Sequence, residues 1–201
     1  MKRGKFIVFE GIDGAGLTTQ ANLLEKALKK AGYKVVLTKE PTNGLIGGLI
    51  RACLKNEWKT SLLSLQLLFA ADRAHHLEKE ILPALKKGKI VICDRYLLST
   101  IAYGMISLEK EWLKFINSKF LQPDLTILLD LSVEVSLKRI KLSRFGAELF
   151  EKKEELRKVR KNYLKLAKEF PNVYVIDASR SIEEVHEEVK KLVNRVLKIR
   201  L

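Results

Sequence analysis

With 201 residues the chain can bury one real core but is short for two domains of typical size, so a single domain spanning 1–201 is expected. Its 47% hydrophobic and 31% charged residues exclude disorder, and apolar runs broken within about ten residues exclude a bilayer span, which needs roughly 18. The formal net charge of +14 gives a surface that attracts polyanions, whether nucleoside phosphates, nucleic acids or anionic membranes, although a Lys- and Glu-rich, Gln-poor composition also resembles that of heat-adapted proteins.

Met1-Lys2-Arg3-Gly4 leads into a strand pattern rather than a signal peptide, so a cytoplasmic location is expected. Short apolar, β-branched runs follow at 6–9, 35–37, 90–93, 125–129 and 173–176, each of strand length. The stretches between them repeat apolar residues at helical spacing, as at Ala21, Leu24 and Leu28, or at Val185, Val189, Leu192, Val193 and Val196. Strands alternating with crossover helices predict a doubly wound α/β fold of about five parallel strands, in which ligands sit at the carboxyl ends of the strands. Cys93 falls within a strand, where a buried thiol is the ordinary reading, and with Cys53 as its only companion no disulfide framework or zinc site is implied. The helical pattern of the basic 138–161 stretch breaks around Ser143–Gly146, which predicts either a helix-helix turn or a short mobile flap near 138–150.

The first strand is followed by Gly11-Ile12-Asp13-Gly14-Ala15-Gly16-Leu17-Thr18-Thr19 and then an amphipathic helix through Ala31. Glycines here let backbone N–H groups converge on phosphate oxygens, the helix N-terminus adds its dipole, and Thr18 offers a hydroxyl to Mg²⁺. This is the order of a P-loop, the competing interpretation being an ordinary glycine-rich turn. Leu17 stands where the motif carries the lysine that reaches the β/γ-phosphates, and a leucine cannot supply that charge. Either another cation replaces it, turnover is slow, or nucleotide binds without turnover.

The segments FEGIDGAGxTTQ, EPTNGxIGxxIR, LLFAADRAHHLEKEIxPALxxG and IVICDRYxxSTxAY, followed by PDLTILLDL, KVRKNYLKLA and VIDAS, resemble those of thymidylate kinases in order and spacing along the whole chain. The resemblance implies a P-loop NTPase-type sheet, phosphoryl transfer from Mg²⁺-bound ATP to dTMP, and a homodimer, with neither a membrane nor nucleic acid as the expected partner. It implies that the 11–19 loop binds ATP, that Asp13 faces the acceptor and metal, a turn-stabilising Asp being the other interpretation, and that Arg51 binds the dTMP phosphate. Phe69 and Arg73 lie four apart on a helix and so share a face; they match the family's thymine-stacking Phe and thymine-reading Arg, while a core Phe and a surface Arg is the plainer interpretation. Asp94 and Arg95 follow the third strand, where a carboxylate can hold a magnesium-bound water and an arginine can bridge donor and acceptor phosphates; an incidental ion pair is the alternative. Thr100 and Tyr103 match positions beside the deoxyribose and base, the tyrosine crowding the 2′ position unless it merely packs. The family often has Gln after this Tyr, an amide that helps read the base, where this chain has Gly104, so a kinase of altered pyrimidine specificity, such as for dUMP, is the alternative. With Ala15 in the loop, the arginine needed near the transferred phosphoryl group must come from the flap, where Arg139 and Arg144 are the candidates, flanked by Lys138 and Lys141. A solvated basic helix face remains the other interpretation of these four.

Overall fold

The computed structural model of the protein describes residues 3–143 and 149–201, with side chains described for 3–140 and 153–201. Strands β1 (Phe6–Glu10), β2 (Val35–Lys39), β3 (Ile90–Asp94), β4 (Leu125–Asp130) and β5 (Val173–Asp177) form one parallel sheet in the order β2-β3-β1-β4-β5. The three central strands are buried almost end to end, which is why they read as continuous apolar runs rather than alternating ones. Each strand continues one or two residues beyond its apolar run, and four of the five thereby end on an acid: Glu10, Asp94, Asp130 and Asp177.

The connecting helices are α1 (Leu17–Lys30), α2 (Leu45–Leu54), α3 (Leu62–His76), α4 (Leu82–Lys86), α5 (Leu97–Gly104), α6 (Lys110–Asn117), α7 (Val133–Ser143), α8 (Leu149–Glu169) and α9 (Ile182–Leu197), with a π-helical turn at Leu77–Ile81 between α3 and α4. Helical spacing explains α1, which buries Leu17, Ala21, Leu24 and Leu28, and α9, which starts in a Ser181–Glu184 capping box and buries Val185, Val189, Leu192 and Val193. Helix α3 is built the other way round. It buries Gln66, Asp72, Arg73 and His76 and leaves Leu63 and Leu67 about half exposed. A helix that turns polar side chains inward must satisfy them there, so α3 marks a polar site within the fold.

From the central β1 the chain crosses to β2, and from β3 it crosses back over β1 to β4. Right-handed crossovers in opposite directions put α1 and α5 on opposite faces, and the loops that part after β1 and β3 open a crevice at the carboxyl edge. Parallel pairing of Phe9 with Asp94 sets the two strand ends level. Helix α7 ends at Ser143 and α8 begins at Leu149; Arg144 and the rest of 144–148, the middle of the expected flap, lie outside the described residues, as does the Lys141 side chain. Among the described residues no helix is long and apolar enough to cross a membrane.

Candidate active site

The loop after β1 is fixed from below by apolar side chains, since Ile12, Ala15 and Leu17 are all buried. Leu17 is only 5% exposed and joins the core, so the first residue of α1 offers no charge to the loop. Gly14, at φ 77°, is required twice over: a side chain would be strained there, and its Cβ would lie 2.8 Å from the Ser136 carbonyl oxygen. The loop can therefore lie directly against α7, and the Ser136 hydroxyl donates to the Asp13 carbonyl oxygen at 2.6 Å to hold it there. Thr18 and Thr19 open α1 with exposed side chains.

Across the crevice, Asp94 closes β3 and its Oδ2 accepts from the Thr18 hydroxyl at 2.5 Å. Arg95 follows in the left-handed region, at φ 70°, which turns its side chain back over the loop. Its Nη1 donates to the Gly11 carbonyl oxygen at 2.9 Å and its Nη2 to Asp13 Oδ1 at 2.6 Å, with the guanidinium 5.7 Å from the Tyr103 ring centroid. Beneath Arg95 lies a buried network absent from the sequence-based set of candidates. Glu10, fully buried, accepts from the Tyr96 and Ser99 backbone N–H groups at 3.0 and 3.2 Å, from the Ser99 hydroxyl at 2.5 Å and from the Tyr163 hydroxyl at 3.2 Å. Nη1 of Arg95 also reaches Ser99 Oγ at 3.3 Å. Burial raises the Glu10 carboxyl above its ordinary value despite these donors. The detectable signal in the sequence was an acid ending an otherwise apolar, fully buried strand.

Arg73 is not a surface residue: it is fully buried. Its Nε and Nη2 donate to Glu40 Oε2 at 2.9 and 2.7 Å, Nη2 also donates to Thr100 Oγ1 at 2.8 Å, and Nη1 donates to Asn117 Oδ1. Four of the five guanidinium N–H donors are thereby used, leaving one on Nη1. Glu40 also meets His76 Nδ1 at 3.1 Å, and the Tyr96 ring lies 4.9 Å from the guanidinium. Phe69, one turn earlier on α3, is half-buried. The neighbouring Asp72 accepts from the Thr42 N–H and hydroxyl at 2.8 and 2.6 Å, and Arg51 donates to the Thr42 carbonyl oxygen, so the loop after β2 is clamped between α2 and α3. Gly47 makes this clamp possible, because a Cβ there would sit 1.9 Å from the Thr42 carbonyl oxygen. The Tyr103 hydroxyl is buried without a partner, and burial raises its pKa.

Thr18, Asp13, Asp94, Arg95 and Tyr103 thus converge on one crevice, with Arg73 and Thr100 bonded to each other deeper in. Arg139 sits apart: its Nη2 donates to the Arg180 carbonyl oxygen at 3.5 Å, toward the turn after β5. Arg160, also missed from sequence, clasps Asp130 at the end of β4 through two bonds of 2.7 and 2.8 Å. Among the described residues no group of three or more His, Cys, Asp or Glu side chains could cage a metal. Mg²⁺ does not need one, since it commonly takes one or two protein oxygens and completes its shell with phosphates and water; the converging Thr18 and Asp94 oxygens fit that demand.

A profile of the family described as thymidylate kinase matches residues 9–189. A protein from Pyrococcus horikoshii named as a probable thymidylate kinase is 52% identical over 202 aligned positions, covering 97% of this chain and 98% of its own. Similarly named proteins from Thermococcus onnurineus and Methanocaldococcus jannaschii are 48% and 43% identical, covering 96% and 92% of this chain and 98% and 93% of theirs. Together with the parallel sheet and the glycine-lined crevice, these matches establish that the chain belongs to the thymidylate kinase family.

Proposed function

We propose that the protein transfers the γ-phosphoryl group of ATP to the 5′-phosphate of dTMP, giving dTDP and ADP. An oxygen of the dTMP phosphate forms the new bond to phosphorus while the bond to the bridging oxygen of ADP breaks, with no covalent intermediate on the protein. The observation that carries this reading is the placement of Arg95. From the tip of β3 its guanidinium spans the phosphate loop from Gly11 to Asp13, above a buried carboxylate network that fixes its direction. A cation held in advance where two phosphates would meet stabilises charge during transfer without reorganising. The 11–19 backbone would bind the ATP phosphates, and Thr18 with Asp94 would hold Mg²⁺, which neutralises phosphate charge when bound. Phe69, Arg73, Thr100 and Tyr103 would receive the thymidine end and Arg51 its phosphate.

A coupled assay of ADP release with dTMP, dUMP, dCMP and dAMP tests the reading. Release stimulated by dTMP above the others is expected, and no stimulation by any acceptor would remove the kinase assignment. In that event the second reading, a nucleotide-binding protein without turnover, gains ground; the burial of Leu17 at the lysine position favours it.

Assembly follows from the reversed helix. Leu45 and Leu49 on α2 and Leu63 and Leu67 on the adjoining α3 are 92%, 47%, 47% and 49% exposed, a run of leucines that a second copy of the chain would cover. This supports a homodimer built on α2 and α3.

A further inference from the structure

We propose that Gln66 reads the acceptor base, its side-chain carbonyl oxygen accepting the N3–H of thymine in the seam between α3, α5 and α6; the inference rests on a pyrimidine nucleotide being the acceptor. Gln66 is 2% exposed, and its Oε1 is buried with no hydrogen-bond partner. An amide carbonyl enclosed in this way is costly to the folded protein unless a ligand supplies the missing donor.

Its neighbours show where that donor would arrive. A Cβ added to Gly104 would stand 3.3 Å from Gln66 Cδ and 2.7 and 2.9 Å from the two methyl carbons of Leu113. No side chain of any size fits at 104 on α5 while Gln66 and Leu113 keep their places. The amide that fills this space therefore comes from α3. Gln66, Phe69 and Arg73 fall at i, i+3 and i+7 along that helix, on one stripe. Thr100 and Gly104 make the matching i, i+4 pair on α5: Arg73 bonds Thr100 at one end of the seam, and Gln66 abuts Gly104 at the other.

The two polar ends are complementary to one kind of base edge. Arg73 retains one N–H donor, whereas Gln66 has an acceptor without a partner. Thymine and uracil present an acceptor at O4 beside a donor at N3. Cytosine presents the reverse, so its N3 lone pair would face the Gln66 carbonyl oxygen. The pair thus selects imide pyrimidines over cytosine and is indifferent to the 5-methyl group.

Gln66→Met, close in volume but unable to accept, and Gln66→Ala, as a second variant, test this with dTMP, dUMP and dCMP. The expected result is a tenfold or greater fall in kcat/KM for dTMP and dUMP, carried by KM, with dCMP and the KM for ATP unchanged. The nucleotide-free melting temperature of Gln66→Met should not fall, because no internal hydrogen bond is lost. An unchanged ratio of dTMP to dCMP activity in both variants, or an equal loss with every acceptor accompanied by a lower melting temperature, would overturn the inference. Thermal-shift stabilisation of the wild type by dTMP and dCMP separates this failure from that of the kinase reading: a wild type that prefers dTMP while the variants keep that preference sinks only the role of Gln66.

Discussion

Leu17→Lys puts back the ammonium that the phosphate loop lacks, and its cost and benefit fall on different measurements. Leu17 is 5% exposed, with Cδ2 lying 3.4 Å from the point where a Cβ on Gly11 would be. Burying a leucine fully is worth about 1.5–3 kcal/mol, and the lysine stem recovers part of this if its ammonium reaches out of the core, which leaves a net loss of about 1–2 kcal/mol. In a chain of this length each kcal/mol moves the melting temperature by about 2–4 °C, so the variant without nucleotide should melt roughly 2–8 °C lower. Bound ATP gives the ammonium its phosphate partners. Since about 1.4 kcal/mol of barrier is tenfold in rate, kcat should then rise tenfold or more if no other cation already serves. The assay is ADP release at saturating ATP and dTMP, with Leu17→Met as the uncharged control that leaves the rate as it was. An equal or lower kcat with an unchanged KM for ATP would refute the reasoning and show a site rebuilt around leucine; Arg139→Ala and Arg144→Ala, made separately, would then locate the substitute.

Burial holds the Glu10 carboxyl above its ordinary 4.5, so the ionised form beneath Arg95 should be lost at a higher pH than a free carboxyl would be, and kcat/KM should show an acid limb that Glu10→Gln flattens. For stability the sign is the opposite: the folded state binds the extra proton between 4.5 and the raised value, so the Glu10 contribution is present below 4.5 and lost as pH rises through the folded pKa. Unfolding free energies of wild type and Glu10→Gln across that window should converge or cross accordingly, and a constant difference would contradict the assignment. In sedimentation the wild type should run as a dimer and Leu49→Glu with Leu67→Glu as a monomer; an unchanged mass would clear these leucines of an interface role. Glu40→Gln should lower stability by about 3–5 kcal/mol in thermal or denaturant unfolding, because it strips the buried Arg73 of its counter-charge, whereas Asp13→Asn at the half-exposed Arg95 pair should cost about 1 kcal/mol or less.

The strand positions were legible because buried parallel strands leave continuous apolar runs, and the loop after β1 because its glycines and threonines have few other uses in that order. Pattern reading stopped each strand at its last apolar residue. Glu10 lies on the ladder and Glu40 directly follows β2, beyond the apolar runs, and for that reason both went unassigned although both stand in quoted motifs. On helix α3 it is the plainer alternative, a core Phe and a surface Arg, that fails. An amphipathic reading assigns a lone Arg to the outside and apolar residues to the inside, and only partners from distant segments, Glu40, Thr100 and Asn117, make Arg73 a buried residue. Ser99, Asn117 and Tyr163 carry no local signal; each matters through a contact formed across the fold.

Carboxylates are an unexpected feature at the edge of a strongly basic protein where phosphates are proposed to bind, yet an acid stands at the end of every strand once Glu40, the residue after β2, is included. Asp177 closes its own turn, accepting from the Ser179 N–H and hydroxyl at 2.9 and 2.6 Å, and the partners of the others explain them. Glu40 fixes Arg73 and Asp130 fixes Arg160, while Glu10 fixes the turn that aims Arg95. These contacts are buried or partly buried and carry no obvious reason to open for a ligand. Asp94 and Asp13 differ, for each pairs with a group already assigned to the substrates, Thr18 or Arg95, on the accessible side of the crevice. On the proposed reading Asp94 would pass from the Thr18 hydroxyl to the bound metal, and Asp13, the half-exposed partner of Arg95, would give way to phosphate at a cost of about 1 kcal/mol or less. On that reading the carboxyl edge combines acids that set the direction of Arg73, Arg95 and Arg160 in advance with acids whose partners change when substrate and metal arrive. A cation with no acid behind it would have to be oriented by the substrate itself, at the expense of binding energy otherwise available to the transition state.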